Sequence, residues 1–394
     1  MENINQKIIS YGKQTIDDDD IDSALRVLQS DWLTQGPAIK NFENHLKDYF
    51  GSNFACAVSN GTAALHLAGL ALGWGKEDII ITTPLTFIAT ANSIVYNGAS
   101  PDFVDICKNT YTIDPNLLEE KVKAYRSRGI NVKAIIGVDY AGHPCDWEAL
   151  RDIAHRYELQ IINDNCHALG ASYQGDKQYA VKYADLVTQS YHPVKHITTG
   201  EGGAILTNNI DFYDKINSLR THGMIKDPDK LNDNDGPWFY EIQELGYNYR
   251  LTDFQCALGS SQLKKLDFFN IKREIIAKAY DSLLSDINFL KLPNVDKNVK
   301  HSYHLYPIQI DFKKCSISKK QFFERMKNSG ILLQVHYIPV HLQPYYKRNF
   351  GFKEGDYPNS ENFYKNEISL PIYPSLTKED QLKVVEETKA ILNV

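Results

Sequence analysis

A chain of 394 residues, 43% hydrophobic and 23% charged, has the make-up of a globular protein and excludes a disordered tract, a collagen and a disulfide-stapled miniprotein. Its 43 Lys and Arg stand against 49 Asp and Glu, a formal charge of -6 with no basic block, which argues against nucleic-acid binding by electrostatics and against a polybasic membrane patch. Single cores stop growing beyond roughly 250–300 residues, so two domains are expected. The six cysteines form no Cys-x-x-Cys pair and are read as reduced thiols. No signal-like stretch opens the sequence and no run of about 18 apolar residues occurs, so a cytoplasmic protein off the membrane is expected.

In chain order, DDDDIDSALRVLQS predicts a helix whose first turn is acidic, with Ile21, Leu25 and Leu28 on one face; Asp17 to Asp20 are then a helix start and not a metal site. PAIKNFENHLKDYFG predicts a second helix, with Pro37 near its start and Gly51 past its end. From FACAV onward, short apolar runs alternate with helical stretches: TAALHLAGLALG, DIIITT, FIATANSIVYNG, PDFVDI, a helix near Asn116 to Tyr125, VKAIIGVDY, DWEALRDIAHRY and LQIIND. That alternation predicts βαβ units and a mostly parallel sheet buried on both faces. Strands ADLVTQS and GGAILTN are joined by the aperiodic loop YHPVKHITTGE. HLYPIQIDF and LLQVHYIPV read as strands and KKQFFERMKNSG as a helix, giving a large α/β domain over residues 1–259 and a smaller α+β domain over 260–394. His301 and His304 then fall on a strand and face opposite sides, and no His-Glu-x-x-His occurs, so no metal site is expected.

Ligands of open α/β sheets bind beyond the carboxyl ends of the strands, which directs attention to four places. Ser59-Asn60-Gly61-Thr62 opens a helix and could cradle a phosphate, although an Asn there also serves as a plain cap. Asp164, ending a buried strand, needs a cation or strong hydrogen bonds. Lys195, in Ser190-Tyr191-His192-Pro193-Val194-Lys195, sits among apolar residues, where desolvation lowers an ammonium pKa and suits it to a Schiff base; locally, a structural lysine fits as well. Phe87 could stack on a planar ligand or belong to the core. Together they are the parts needed for pyridoxal 5'-phosphate: phosphate on Gly61 and Thr62, pyridine nitrogen on Asp164, aldehyde carbon on Lys195, ring against Phe87.

The segments WLTQGP, SNGTAALHLA, TTPLTFIATANSI, DNCHALGA, SYHPVKHITTGEGGAILTN, LRTHGM, LGYNYRLTDFQCALGSSQL and VHYIPVHLQPYY resemble the DegT/DnrJ/StrS nucleotide-sugar aminotransferases, from about Tyr11 onward. The resemblance implies a fold-type I architecture with a seven-stranded sheet. It implies Lys195 as the cofactor-holding lysine and Asp164 at the ring nitrogen. His167, where many relatives carry Gln, would lie near the phenolic oxygen, with Ser190 and Thr62 at the phosphate. Asn248 would reach the phosphate of the partner subunit, in a homodimer sharing its sites. Gln35, Gly36, His336 and Tyr337 would line the sugar-nucleotide pocket.

HPVKHITTGEGG is most similar to the branch acting in pseudaminic acid biosynthesis, which implies L-glutamate as donor and the C4 keto group of UDP-2-acetamido-2,6-dideoxy-β-L-arabino-hexos-4-ulose as acceptor. Other nucleotide ketosugars, dehydration of such a sugar, or a silent binding protein on the same fold are the alternatives. Dehydratases of this family carry histidine at the lysine position. Here Lys195 keeps the five-residue step to Gly200 and His196 is its neighbour, which favours transamination.

Overall fold

The computed structural model describes residues 7–394. Seven apolar runs become the strands of one sheet: β1 (Phe54–Val58), β2 (Ile79–Thr82), β3 (Ser100–Phe103), β4 (Val132–Val138), β5 (Gln160–Asp164), β6 (Leu186–Ser190) and β7 (Gly203–Thr207). Their order is β1-β7-β6-β5-β4-β2-β3. Neighbours from β6 to β3 pair in parallel, whereas β7 runs against both β1 and β6. The reversal follows from the connections: helical crossovers join the parallel strands, but Tyr191–Gly202 turns straight back from β6 into β7. The loop expected to carry chemistry is therefore the one that reverses the chain at the carboxyl edge of the sheet.

The apolar residues pack on both sheet faces. Ile81, Ile135, Trp147, Ile161, Val187 and Leu206 belong to one core, and Ala64, Leu67, Ile80, Ile136, Ile162 and Ile205 to the other. The alternation along β4 and β5 divides neighbouring isoleucines between the two, which is why these strands read as unbroken apolar runs.

Helix α1 (Asp18–Leu28) is capped by Asp17, whose carboxylate accepts from Asp20 N while Asp20 accepts from Asp17 N. Its apolar stripe does not face the core: Ile21, Leu25 and Leu28 are 55%, 45% and 53% exposed, while Asp20 is buried against Gln262 and Lys265. Helix α2 (Pro37–Phe50) starts at its proline and stops at Gly51, whose φ of 65° is the left-handed turn that favours glycine. Helices α3 (Gly61–Ala71) and α4 (Ile88–Tyr96) follow β1 and β2 at the sheet edge.

A second core forms only after the chain leaves the large sheet. Leu263 of α5 (Asp253–Lys264) and Leu266 at the start of α6 (Leu266–Leu284) still belong to the first core, whereas Ile276 and Tyr280 pack with Ile308, Phe322, Met326 and Val384. The change of core thus falls inside α6. Strands β8 (Leu290–Lys291), β9 (Tyr306–Ile310) and β10 (Glu367–Leu370) make an antiparallel sheet there. Ile9 joins this second core, and Ile9–Ser10 pairs with Ile331–Leu332.

Two expected strands are shorter than the sequence suggested. The first begins only at Tyr306, so His301 and His304 lie in a loop and not on opposite strand faces. Arg273, fully buried in α6, donates to the carbonyls of Tyr303, His304 and Ile372 at 3.2, 3.3 and 2.9 Å and takes those groups out of any ladder. Of LLQVHYIPV only Leu332 is strand, closing Ile331–Leu332, and the rest folds toward the sheet edge. Among the described residues no helix is long and apolar enough to cross a membrane.

Candidate active site

A cavity of about 1060 Å³ opens where the carboxyl edge of the large sheet meets the C-terminal region, and it gathers Gly61, Thr62, Phe87, Asp164, His167, Ser190, Lys195, His336 and Tyr337. Its floor follows from strand register. Val58 and Ser190 both pair with Gly203, which sets the start of α3 beside the end of β6. A Cβ on Gly61 would lie 2.9 Å from the Cβ of Ser190, and one on Gly203 would lie 2.6 Å from the Asn60 backbone, so both glycines permit the close approach. Asn60 does act as a cap, accepting from Ala63 N at 2.8 Å. It leaves the N–H groups of Gly61 and Thr62, with the helix's positive end, beside the Ser190 and Thr62 hydroxyls.

Lys195 hangs from a loop held by its own backbone: Tyr191 N donates to Gly202 O at 2.8 Å, Thr199 N to Tyr191 O at 3.0 Å, and Lys195 N to His192 O at 2.9 Å. The neighbouring His196 is buried and turns away, its Nε2 3.1 Å from Ser302 O, so Lys195 is the side chain that lines the cavity. Burial pushes the Lys195 amine below the ordinary lysine range, and the nearby Cys166 thiol and Asp164 carboxylate offset this only in part. No ion pair holds that amine among the described residues.

Asp164, 6% exposed, ends β5. Thr90, in the first turn of α4, donates to its Oδ2 at 2.7 Å, and Cys166 N donates to its Oδ1 at 3.3 Å. Thr90's only proton is thereby committed, so the 2.8 Å contact between Thr86 and Thr90 has Thr86 as donor. A carboxylate has about four lone-pair sites, so capacity for one more cationic donor remains. Phe87, 53% exposed, stands at the cavity beside Tyr337, with ring centroids 5.8 Å apart; it is not a core residue.

The opposite wall comes from far along the chain. His167 is buried, and burial, with the Lys195 charge second, holds its imidazole well below the ordinary histidine range and hence neutral. Its Nδ1 accepts from Ala141 N at 3.3 Å and its Nε2 lies 3.1 Å from the Tyr337 hydroxyl. His336 is likewise held neutral, at about 3, by burial and then by Lys195. Its Nδ1 is 2.8 Å from Ser369 Oγ, which donates to Glu367 Oε1 at 2.6 Å; its backbone N donates to Glu367 Oε2 at 3.0 Å and its carbonyl accepts from Tyr140.

The sequence pattern of the DegT/DnrJ/EryC1/StrS aminotransferase family matches residues 14–389. The chain belongs to that family. It is 41% identical over 381 residues to the UDP-4-amino-4,6-dideoxy-N-acetyl-beta-L-altrosamine transaminase of Campylobacter jejuni, covering 97% of this chain and 96% of that one. It is 37% identical over 385 residues to the spore coat polysaccharide biosynthesis protein SpsC of Bacillus subtilis, covering 98% and 97%. The solved structure of Helicobacter pylori PseC, an aminotransferase involved in the biosynthesis of pseudoaminic acid, superposes with a TM-score of 0.88 at 33% identity, covering 98% of this chain and all of that one. The fold is that of the fold-type I aminotransferases, and the chain is an enzyme of a family that uses pyridoxal 5'-phosphate to aminate nucleotide sugars.

The residues present fit that cofactor: a cradle that a Cβ at Gly61 would crowd, a buried carboxylate with acceptor capacity, and a desolvated amine with no ion pair among the described residues. Three expected residues do not enter this chain's own cavity. Gln35 is exposed with a φ of 56°, and the N–H of Gly36 donates to Asp253 Oδ2 at 2.8 Å, which positions the start of α2. Asn248 is exposed and bridges to Thr221.

Sequence reasoning missed Thr90, Tyr140 and Asp139. Asp139 directly follows β4, much as Asp164 closes β5, and Asp139 accepts from Cys145 N, Trp147 Nε1, Asn165 Nδ2 and the Tyr179 hydroxyl at 2.7–2.9 Å. The same signal, an acid directly after the apolar run VKAIIGV, would have found it.

Proposed function

We propose that this aminotransferase moves the amino group of L-glutamate to the C4 keto group of a UDP-linked 4-keto-6-deoxy-N-acetylhexosamine, UDP-2-acetamido-2,6-dideoxy-β-L-arabino-hexos-4-ulose. The observation that carries the reading is the placement of a desolvated Lys195 and a buried Asp164 in one cavity, with His196 turned away. The likeness to the C. jejuni transaminase and to PseC supports the acceptor. The likeness to SpsC supports the second reading, a different nucleotide ketosugar.

Pyridoxal 5'-phosphate supplies an electron sink that carries the amino group between the two substrates. In this reading Gly61, Thr62 and Ser190 bind its phosphate, and Asp164 accepts from the ring nitrogen and keeps it protonated. His167 would lie near its phenolic oxygen and act there through the Tyr337 hydroxyl it bonds, and Phe87 would stack against the ring. Lys195 Nζ takes the α-proton of glutamate; desolvation shifts its amine toward the neutral form, the form a base requires. His336 and Tyr337 face the sugar. The exposed stripe Ile21, Leu25 and Leu28 supports a homodimer, in which Asn248, and Gln35 with Gly36, would serve the site of the partner subunit.

Incubating the purified protein with glutamate and a panel of UDP- and dTDP-ketosugars tests the assignment. An aminosugar and 2-oxoglutarate formed fastest from the UDP-linked N-acetyl substrate are expected. A deoxysugar product would make it a dehydratase, and no turnover with no visible cofactor band would make it a binding protein.

A further inference from the structure

Histidine 167 has both ring nitrogens engaged, and the chemistry of its partners fixes where its proton sits. A backbone N–H can only donate, so the Ala141 contact makes Nδ1 the acceptor. A neutral imidazole carries one proton, which must then be on Nε2, and Nε2–H donates to the Tyr337 oxygen. Tyr337 is thereby used as an acceptor by the protein, and its own hydroxyl proton has no protein partner among the described residues. The side chain lines the cavity between Phe87 and His336.

The source of this polarity is built firmly. Ala141 holds a φ of 59°, a conformation costly for a residue with a side chain, in a loop anchored by the four donors to Asp139. Asn165, one of those donors, adjoins Asp164 in the chain. One buried loop therefore orients both the carboxylate side of the cavity and the histidine on its far wall.

We propose that Tyr337 is a positioning hydrogen-bond donor into the cavity, its direction imposed by Ala141 N–H through His167, and that it donates to an oxygen bearing negative charge. Two oxygens have that chemistry: the phenolate of the bound cofactor and the carbonyl oxygen of the ketosugar. The inference rests on the proposed function for the presence of both. His167 then acts through Tyr337, since neither of its ring nitrogens is free to meet a ligand.

Tyr337→Phe keeps the ring and removes the proton. If the acceptor is the cofactor, titration of the visible absorption of the substrate-free enzyme shows the pH midpoint raised by about one unit or more, because a hydrogen bond favouring the charged oxygen is lost. If the acceptor is the sugar, the midpoint stays and KM for the ketosugar rises about tenfold, while the half-reaction with glutamate is unchanged. His167→Gln, whose amide can accept from Ala141 N–H and donate to Tyr337, should stay close to the parent in both readouts. His167→Leu should follow Tyr337→Phe. A Tyr337→Phe enzyme with parental midpoint and parental KM overturns the proposal, and so does a His167→Leu enzyme that behaves like the parent. A parent protein that binds no cofactor would instead overturn the proposed function itself.

Discussion

The two walls of the cavity are built by different means. The sheet-edge wall, with Gly61, Asp164, Ser190 and Lys195, places each group within a few residues of a strand end, so local backbone geometry and strand register position it. The loop wall, with His304, His336 and Tyr337, is irregular backbone fixed by polar contacts over great chain separations, such as Tyr140 to the His336 carbonyl and Arg273 to the carbonyls of Tyr303, His304 and Ile372. The first wall can hold a ligand as soon as the sheet forms, whereas the second depends on a buried polar network in which every partner counts.

If the sheet-edge wall carries the chemistry, Lys195→Ala should have the largest effect. Turnover with glutamate should fall at least 10²–10⁴-fold in a 2-oxoglutarate assay, since a positioned acid–base group contributes about that much. The loop between the walls should reveal itself through pH. Burial pushes Asp139 up to about 6, against about 3.9 in an unfolded chain. The folded protein therefore keeps a proton there that the unfolded chain has released, and this group's contribution to stability falls as pH rises from about 4 to 6, by about 3 kcal/mol in all. Urea titrations across that window should show a slope that Asp139→Asn removes.

Smaller changes separate the walls. Thr90→Val removes the donor that holds Asp164 and should weaken cofactor retention about tenfold or more, since hydrogen bonds to charged groups are worth about 1.5–3 kcal/mol. Equilibrium dialysis measures it, with sugar KM little changed. Ser369→Ala leaves His336 Nδ1 and Glu367 Oε1 without their shared partner at a buried site, a cost of about 1–3 kcal/mol in urea unfolding. That variant should raise sugar KM and leave cofactor retention intact; the reverse pattern would break the division between the walls.

The same contrast explains what the sequence disclosed. Apolar runs identified the seven strands, and the polar residues after them pointed to Gly61, Asp164 and Lys195, which sheet register and the loop from β6 to β7 bring to one cavity. Asp139 carried the same signal as Asp164, and Thr90 was hidden because its role depends on α4 facing β5. His304 and Tyr337 were read as strand from their β-like surroundings, yet a buried arginine at 273 and a carboxylate at 367 claim the backbone groups a ladder would need. On α1 the apolar residues do share one face, but that face is exposed, and the buried side is the one where Asp20 meets Lys265 and Gln262.

The most direct test is chemical. Borohydride reduction of the purified, cofactor-bound enzyme fixes the pyridoxyl group on whichever lysine holds it, and peptide mass mapping then locates it. The account predicts the label on the peptide containing Lys195, with none recovered from Lys195→Ala. A label on another lysine, or no label on a protein that shows the cofactor's visible band, would contradict it.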